Sequence, residues 1–200
     1  MTVQTLLPQI SMTCFKAYDI RGRLGTELND VIAWRIGRAF AEVLAARRVV
    51  VGRDCRGSSA SLAKAVVDGL LLGGADVIDL GLCGTEEMYF ATAHFGACGG
   101  IEITASHNPI EYNGMKMVGR GSAPLDPVTE MAAIRKLAEC AAFAMPARGG
   151  RLENAEGARD AYVERVLSFL DIGALRPLRI VANAGNGAAG PTFDAITAAL

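Results

Sequence analysis

Three short runs rich in β-branched residues, "RRVVVGRD" (47–54), "ADVIDLG" (75–81) and "GGIEIT" (99–104), are separated by stretches whose apolar residues recur at helical spacing. From Asn29 to Arg47 the residues Ile32, Ile36, Phe40, Val43 and Leu44 share one stripe, with Asn29 or Asp30 available as a cap. Ser58, Ser59 or Ser61 can cap a second helix bearing Leu62, Val66 and Leu70, which Gly73 and Gly74 stop. Thr85 opens a third, with Glu86 and Glu87 in its first turn. Parallel strands need a crossover between them, and a helix that crosses over covers a sheet face. The pattern therefore predicts an α/β protein of three layers, α/β/α, around a mixed, largely parallel sheet. In such sheets ligands gather beyond the carboxyl ends of the strands, and Ser106 stands at one of those ends.

The later chain reads less regularly. "EYNGMKMV" (111–118) predicts a tight Asn-Gly turn leading into an extended segment, and 126–142 an amphipathic helix. "AMPARGGRLENAEG" (144–157) has no apolar period and reads as a linker. A helix with Tyr162, Val166 and Phe169 follows, then a strand over 178–183, a glycine turn "GNGAAG" (185–190) and a helix running to Leu200. The expected division is an extension over 1–14, a first domain over 15–148, a linker over 149–157 and the start of a second similar α/β domain over 158–200. A second domain begun without room to finish makes the chain read as an N-terminal fragment.

Charge narrows the function classes. Twenty Lys plus Arg against 21 Asp plus Glu leave a net charge of −1 and a pI near 6.1, so no bulk field favours nucleic acid or an anionic membrane. No apolar stretch reaches the length of a membrane span, and the first residues lack the basic and apolar regions of a signal peptide. A cytoplasmic location is the expectation. The five cysteines are odd in number and contain no C-x-x-C pair, which favours reduced thiols over a disulfide framework or a zinc site.

"EITASHNPIEYNGMK" (102–116) raises the chemical question. A serine hydrolase of this fold class needs a G-x-S-x-G elbow and an oriented base. Here the flanks are Thr104-Ala105 and His107-Asn108, and an extended backbone would point His107 away from Ser106. An exposed serine at a strand end, with backbone N–H groups and Lys116 brought up behind it, is instead suited to carrying a phosphoryl group. "SHNP" also fits a plain turn. Arg53 and Asp54 form an Arg-Asp pair at another strand end, which is a structural salt bridge more often than a site. "LRIVANAGNGAAG" has the form of a dinucleotide-binding fingerprint, the basis of a competing NAD(P)-dependent oxidoreductase reading.

"TASHNP" joined to "YNGMK" resembles the active-site serine loop of the α-D-phosphohexomutases, and "FKAYDIRG" (15–22), "GRDCRGSS" (52–59) and "GNGAAG" resemble further signatures of that family in the same order. "GTEEMYFATAHFG" with the serine loop is most similar to the bacterial phosphomannomutase branch. The resemblance implies a phosphoserine at Ser106 that gives its phosphoryl group to a hexose phosphate and recovers one through a bound hexose 1,6-bisphosphate, which also acts as activator. It implies interconversion of mannose 6-phosphate and mannose 1-phosphate for GDP-mannose synthesis, with glucose phosphate a further candidate. Mapped by motif, Ser106, Arg21, Lys116 and His107 are the implied catalytic residues, and Tyr18, Asn108 and Arg53 shape the substrate pocket. Mg²⁺ is implied on the Ser106 phosphate. The family's carboxylate metal loop, sugar-reading loop and distal phosphate grip match nothing in these 200 residues. The 200-residue chain is accordingly expected to turn over little or nothing, and a non-catalytic sugar-phosphate-binding domain is the other reading.

Overall fold

A computed structural model describes residues 7–185 and 187–200. In chain order the elements are β1 (Ile20–Arg23), α1 (Asp30–Val43), β2 (Arg48–Arg53), α2 (Ser59–Leu72), β3 (Asp76–Leu82), α3 (Thr85–His94), β4 (Gly99–Ile103), β5 (Tyr112–Gly119), α4 (Glu130–Cys140), β6 (Leu152–Asn154), α5 (Ala158–Leu167) and α6 (Ala189–Ala199). The sheet runs β1-β5-β4-β2-β3-β6. β2 pairs in parallel with both β3 and β4, and β3 with β6, while β5 lies antiparallel between β4 and β1. This is the expected three-layer α/β/α class with a mixed, mostly parallel sheet.

Alternation along the strands builds two cores. Val49, Val51, Ile101, Ile103, Met115 and Met117 face α1, α2 and α4, together with Ile36, Phe40, Val66, Leu70 and Ile134. Val50, Ile78 and Val118 point to the other face and meet Met88 and Ala91 of α3. α1 starts where the Asn29 side chain accepts the Ile32 N–H at 3.0 Å, as its cap position predicts. α1 and α2 touch backbone to backbone: a Cβ on Gly37 would sit 2.3 Å from the Val66 carbonyl oxygen, and one on Gly69 2.2 Å from that of Trp34.

Several local expectations are corrected. Asn113-Gly114 makes no turn but lies inside β5. A side chain at Gly114 would strike the Ile20 carbonyl of β1 at 2.0 Å, and the buried Asn113 amide donates to Ser58 and Ser59. Close strand packing and polar pairing are what "NG" signalled here. The helix expected from 126 starts at Glu130, because the Asp126 carboxylate accepts from the Val128 and Thr129 amides in a turn of its own. Within the expected linker, Leu152–Asn154 pairs with β3, and Arg148 grips Asp76 at 2.7 Å, holding that carboxyl down at about 2. Of the expected extension, 1–6 lie outside the described residues, but Met12 and Cys14 are fully buried and the Pro8 carbonyl accepts from Arg35. Residues 178–183 form no strand. Val181 is 98% exposed, and no strand among the described residues pairs with this stretch, without which a β-run has no ladder to join.

Candidate active site

The carboxyl ends of β2, β3 and β4 open onto one cleft of about 650 Å³. Asp54, Arg56 and Gly57 line it after β2, Cys83, Gly84 and Thr85 after β3, and Glu102, Thr104, Ser106, Asn108 and Ile110 along and after β4. Gly187, Ala188 and Ala189, at the start of α6, close one side.

Ser106 leaves the strand abruptly. Its φ is +53°, in the left-handed region where residues with a Cβ are uncommon, and its N–H donates to Thr104 Oγ1 at 2.9 Å. The strain is of the kind that collects at functional sites. It also overturns the extended geometry read from the sequence: instead of pointing away, the His107 ring puts Nδ1 3.4 Å from Ser106 Oγ, with both residues exposed.

Two guanidinium groups hold the loop. Arg21 of β1 is braced by Asp19 at 2.8 Å, donates to the Ala105 carbonyl at 3.0 Å, and donates to the Asn108 side-chain oxygen. Arg56 reaches further. It donates to the main-chain carbonyls of Ser106 (2.9 Å), Asn108 (2.6 Å), Pro109 (2.9 Å) and Tyr112 (3.1 Å), and its Nε lies 3.4 Å from Asp54. Arg56 went unselected in the sequence. The signal was the second arginine of "GRDCRG", and the ion pair at this strand end is Arg56–Asp54, not Arg53–Asp54.

The other candidates are dispersed. Tyr18 is 83% exposed, two residues before β1. Arg53 ends β2 outside the lining of the cleft. Lys116 sits in β5 directly opposite Glu102, partly buried, and makes no ion pair among the described residues. Glu102, also unselected, is 1% exposed; Cys83 donates to its Oε2 at 3.3 Å, and Oε1 has no hydrogen-bond partner. Burial raises its carboxyl to about 8, with Asp54, Glu87 and Glu86 adding to the effect.

The donor set for a metal is thin. Among the described residues no group of three or more His, Cys, Asp or Glu is placed to hold one. Asp54 is engaged by Arg56 and Ser59, and Glu102 is buried in its neutral form. These residues do not build a magnesium site on their own.

A profile of the phosphoglucomutase/phosphomannomutase α/β/α domain I matches residues 12–144. The chain belongs to the phosphoglucomutase/phosphomannomutase family. It is 52% identical over 190 residues to a phosphomannomutase of Salmonella typhimurium and 50% identical over 189 residues to one of Escherichia coli K12. Each alignment covers 94% of this chain but only 42% and 41% of those relatives, so the chain spans well under half their length. The crystal structure of a phosphoglucomutase/phosphomannomutase family protein from Burkholderia thailandensis superposes with a TM-score of 0.79 at 41% identity, covering 94% of this chain and 43% of that one. The stretch before "GNGAAG" forms no strand among the described residues, so the strand that a dinucleotide fingerprint follows is missing. No helix among the described residues is long and apolar enough to cross a membrane.

Proposed function

We propose that this chain is the phosphoserine-bearing part of a phosphomannomutase, with Ser106 as the carrier. The observation behind this is the Ser106 loop itself: an exposed hydroxyl in left-handed backbone at the end of β4, clamped by Arg21 and Arg56 at the mouth of the cleft. A phosphoserine adds about −1.5 to −2 units of charge, which the two guanidinium groups at this loop would offset.

Transfer breaks the bond from phosphorus to Ser106 Oγ and forms one to a hydroxyl of a hexose phosphate. The proton lost by that hydroxyl ends on Oγ, and His107, 3.4 Å away, is the side chain positioned to deliver it. Arg21 and Lys116 offset the charge on the phosphoryl oxygens, while Asn108 and Tyr18 border the sugar. Reversal at the other end of the bound 1,6-bisphosphate regenerates phosphoserine. Arg56 contributes rigidity: a carrier serine must present Oγ in line with the acceptor, and Arg56 fixes the backbone at Ser106 and after it while Arg21 holds the Ala105 carbonyl before it. Of the described residues, a phosphorylated Ser106 is what would hold Mg²⁺, which when bound would supply Lewis-acid stabilisation. Residues 15–148, with 8–14 packed onto them, form the phosphoserine domain in this reading, and 158–200 begin a second domain.

Calorimetry with mannose 6-phosphate, run beside intact-mass analysis after exposure to a hexose 1,6-bisphosphate, tests the assignment. Gain of one phosphoryl group by the wild type and none by Ser106→Ala is expected. Binding without transfer in the wild type would leave only a sugar-phosphate-binding domain.

A further inference from the structure

Glu102 is a buried acid that the reaction above does not use. Any side chain at Gly52 would collide with it, a Cβ falling 2.3 Å from Oε2, so β2 leaves space for this carboxyl. Its Oε1 is buried without a partner, and a carboxylate in that position would be costly. The groups facing it are Cys83 from the end of β3, Asp54 after β2, Glu86 and Glu87 from α3, and Lys116 from β5. Asp54 is already committed to Arg56 and Ser59, and Glu87 to Arg159 and Thr192.

Lys116 alone in that set is a cation. Glu102 and Lys116 are Cα partners in the antiparallel β4–β5 ladder, so their side chains leave the same face of the sheet with Cβ atoms about 5 Å apart. A charged pair at that spacing forms a salt bridge readily, yet none joins these two residues.

We propose that Glu102 is a positioning residue for Lys116: held neutral in the cleft wall, it leaves the ammonium free to serve a phosphate on Ser106, and on ionising it draws the ammonium to itself. The role for the phosphate rests on Ser106 being the carrier; the coupling between the two side chains does not. Glu102 thereby sets the pH above which Lys116 is no longer free for the phosphate. A glutamine at 102 would keep the shape and remove that limit.

Carbon-detected NMR of the whole chain, with labelled glutamate and lysine, tests this between about pH 6 and pH 10, a span that brackets the Glu102 midpoint. The Glu102 carboxyl is expected to titrate near 8, and the Lys116 Cε resonance to inflect at the same midpoint. In Glu102→Gln that inflection disappears. With phosphoserine incorporated at 106, the phosphorus resonance should show an inflection at the Glu102 midpoint in the otherwise wild-type chain and lose it in Glu102→Gln. A Lys116 resonance that ignores Glu102 ionisation, or an inflection that survives Glu102→Gln, overturns the proposal. The wild-type titration stands alone if the variant does not fold. Failure of Ser106 to accept phosphate from a sugar bisphosphate would instead count against the mutase reading and leave this coupling measurable.

Discussion

Replacing Arg56 with alanine removes the guanidinium that four main-chain carbonyls share, those of Ser106, Asn108, Pro109 and Tyr112. The side chain is 11% exposed and paired with Asp54, so its bonds are largely shielded from water. Hydrogen bonds to a charged donor contribute about 1.5–3 kcal/mol each, but these carbonyls lie near the surface and regain water when the donor is lost. Opening of the serine loop should therefore become easier by roughly 2–4 kcal/mol in total, less than the simple sum. That corresponds to amide exchange faster by about 30-fold to 1,000-fold, provided exchange proceeds through local opening. Hydrogen exchange read on peptides covering 104–112 is the assay, since the Asn108 and Tyr112 amides are bonded within this loop. Arg56→Lys should recover only part of the protection, because an ammonium cannot reproduce the planar fork. The α2 peptides should change little. If loop exchange in Arg56→Ala stays within about threefold of wild type, the argument that Arg56 fixes the serine is refuted.

Three further outcomes follow from the packing and the buried charges. Gly69→Ala places a methyl 2.2 Å from the Trp34 carbonyl, so it should force α1 and α2 apart and cost about 1–3 kcal/mol in denaturant unfolding, against the gain in helix propensity expected at an exposed site. Because the folded Glu102 carboxyl titrates near 8 rather than 4.5, the native state holds a proton that the unfolded state releases. Stability is then expected to fall as pH rises from about 4.5 to 8, by at most roughly 5 kcal/mol, and Glu102→Gln should flatten that slope in pH-dependent melts. Asp76 runs the other way: Arg148 depresses it to about 2, so its contribution is present above the unfolded value near 3.8 and is lost as pH falls through 2, a loss that Asp76→Asn should abolish in acid titrations.

Much of this architecture was legible because strand and helix periods alternate cleanly from Asn29 to Thr104, and each strand found the neighbours that its apolar run required. The serine at a strand end was legible for the same reason. Elements failed where a local signal had two meanings. Asn-Gly reads as a turn, but at 113–114 it answers close approach by β1 and hydrogen bonds that Asn113 donates to Ser58 and Ser59 at the start of α2. The β-run at 178–183 has the propensity but no pairing partner, and a strand is a property of two segments. Arg56 and Glu102 were missed because nothing local distinguishes them. One acts through carbonyls some 50 residues away in sequence, and the other is conspicuous only once burial strips its carboxyl of partners. The His107 side chain departs from the extended-chain orientation because the left-handed turn at Ser106 cannot be read from the residue's identity.

The central claim is that Ser106 Oγ is the atom that carries phosphate, and tandem mass spectrometry of proteolytic peptides after incubation with a hexose 1,6-bisphosphate addresses it most directly. The account predicts a single added phosphoryl group on the peptide containing 102–116, localised to Ser106 and absent from Ser106→Ala. Phosphate found on another residue, or retained by Ser106→Ala, would contradict it.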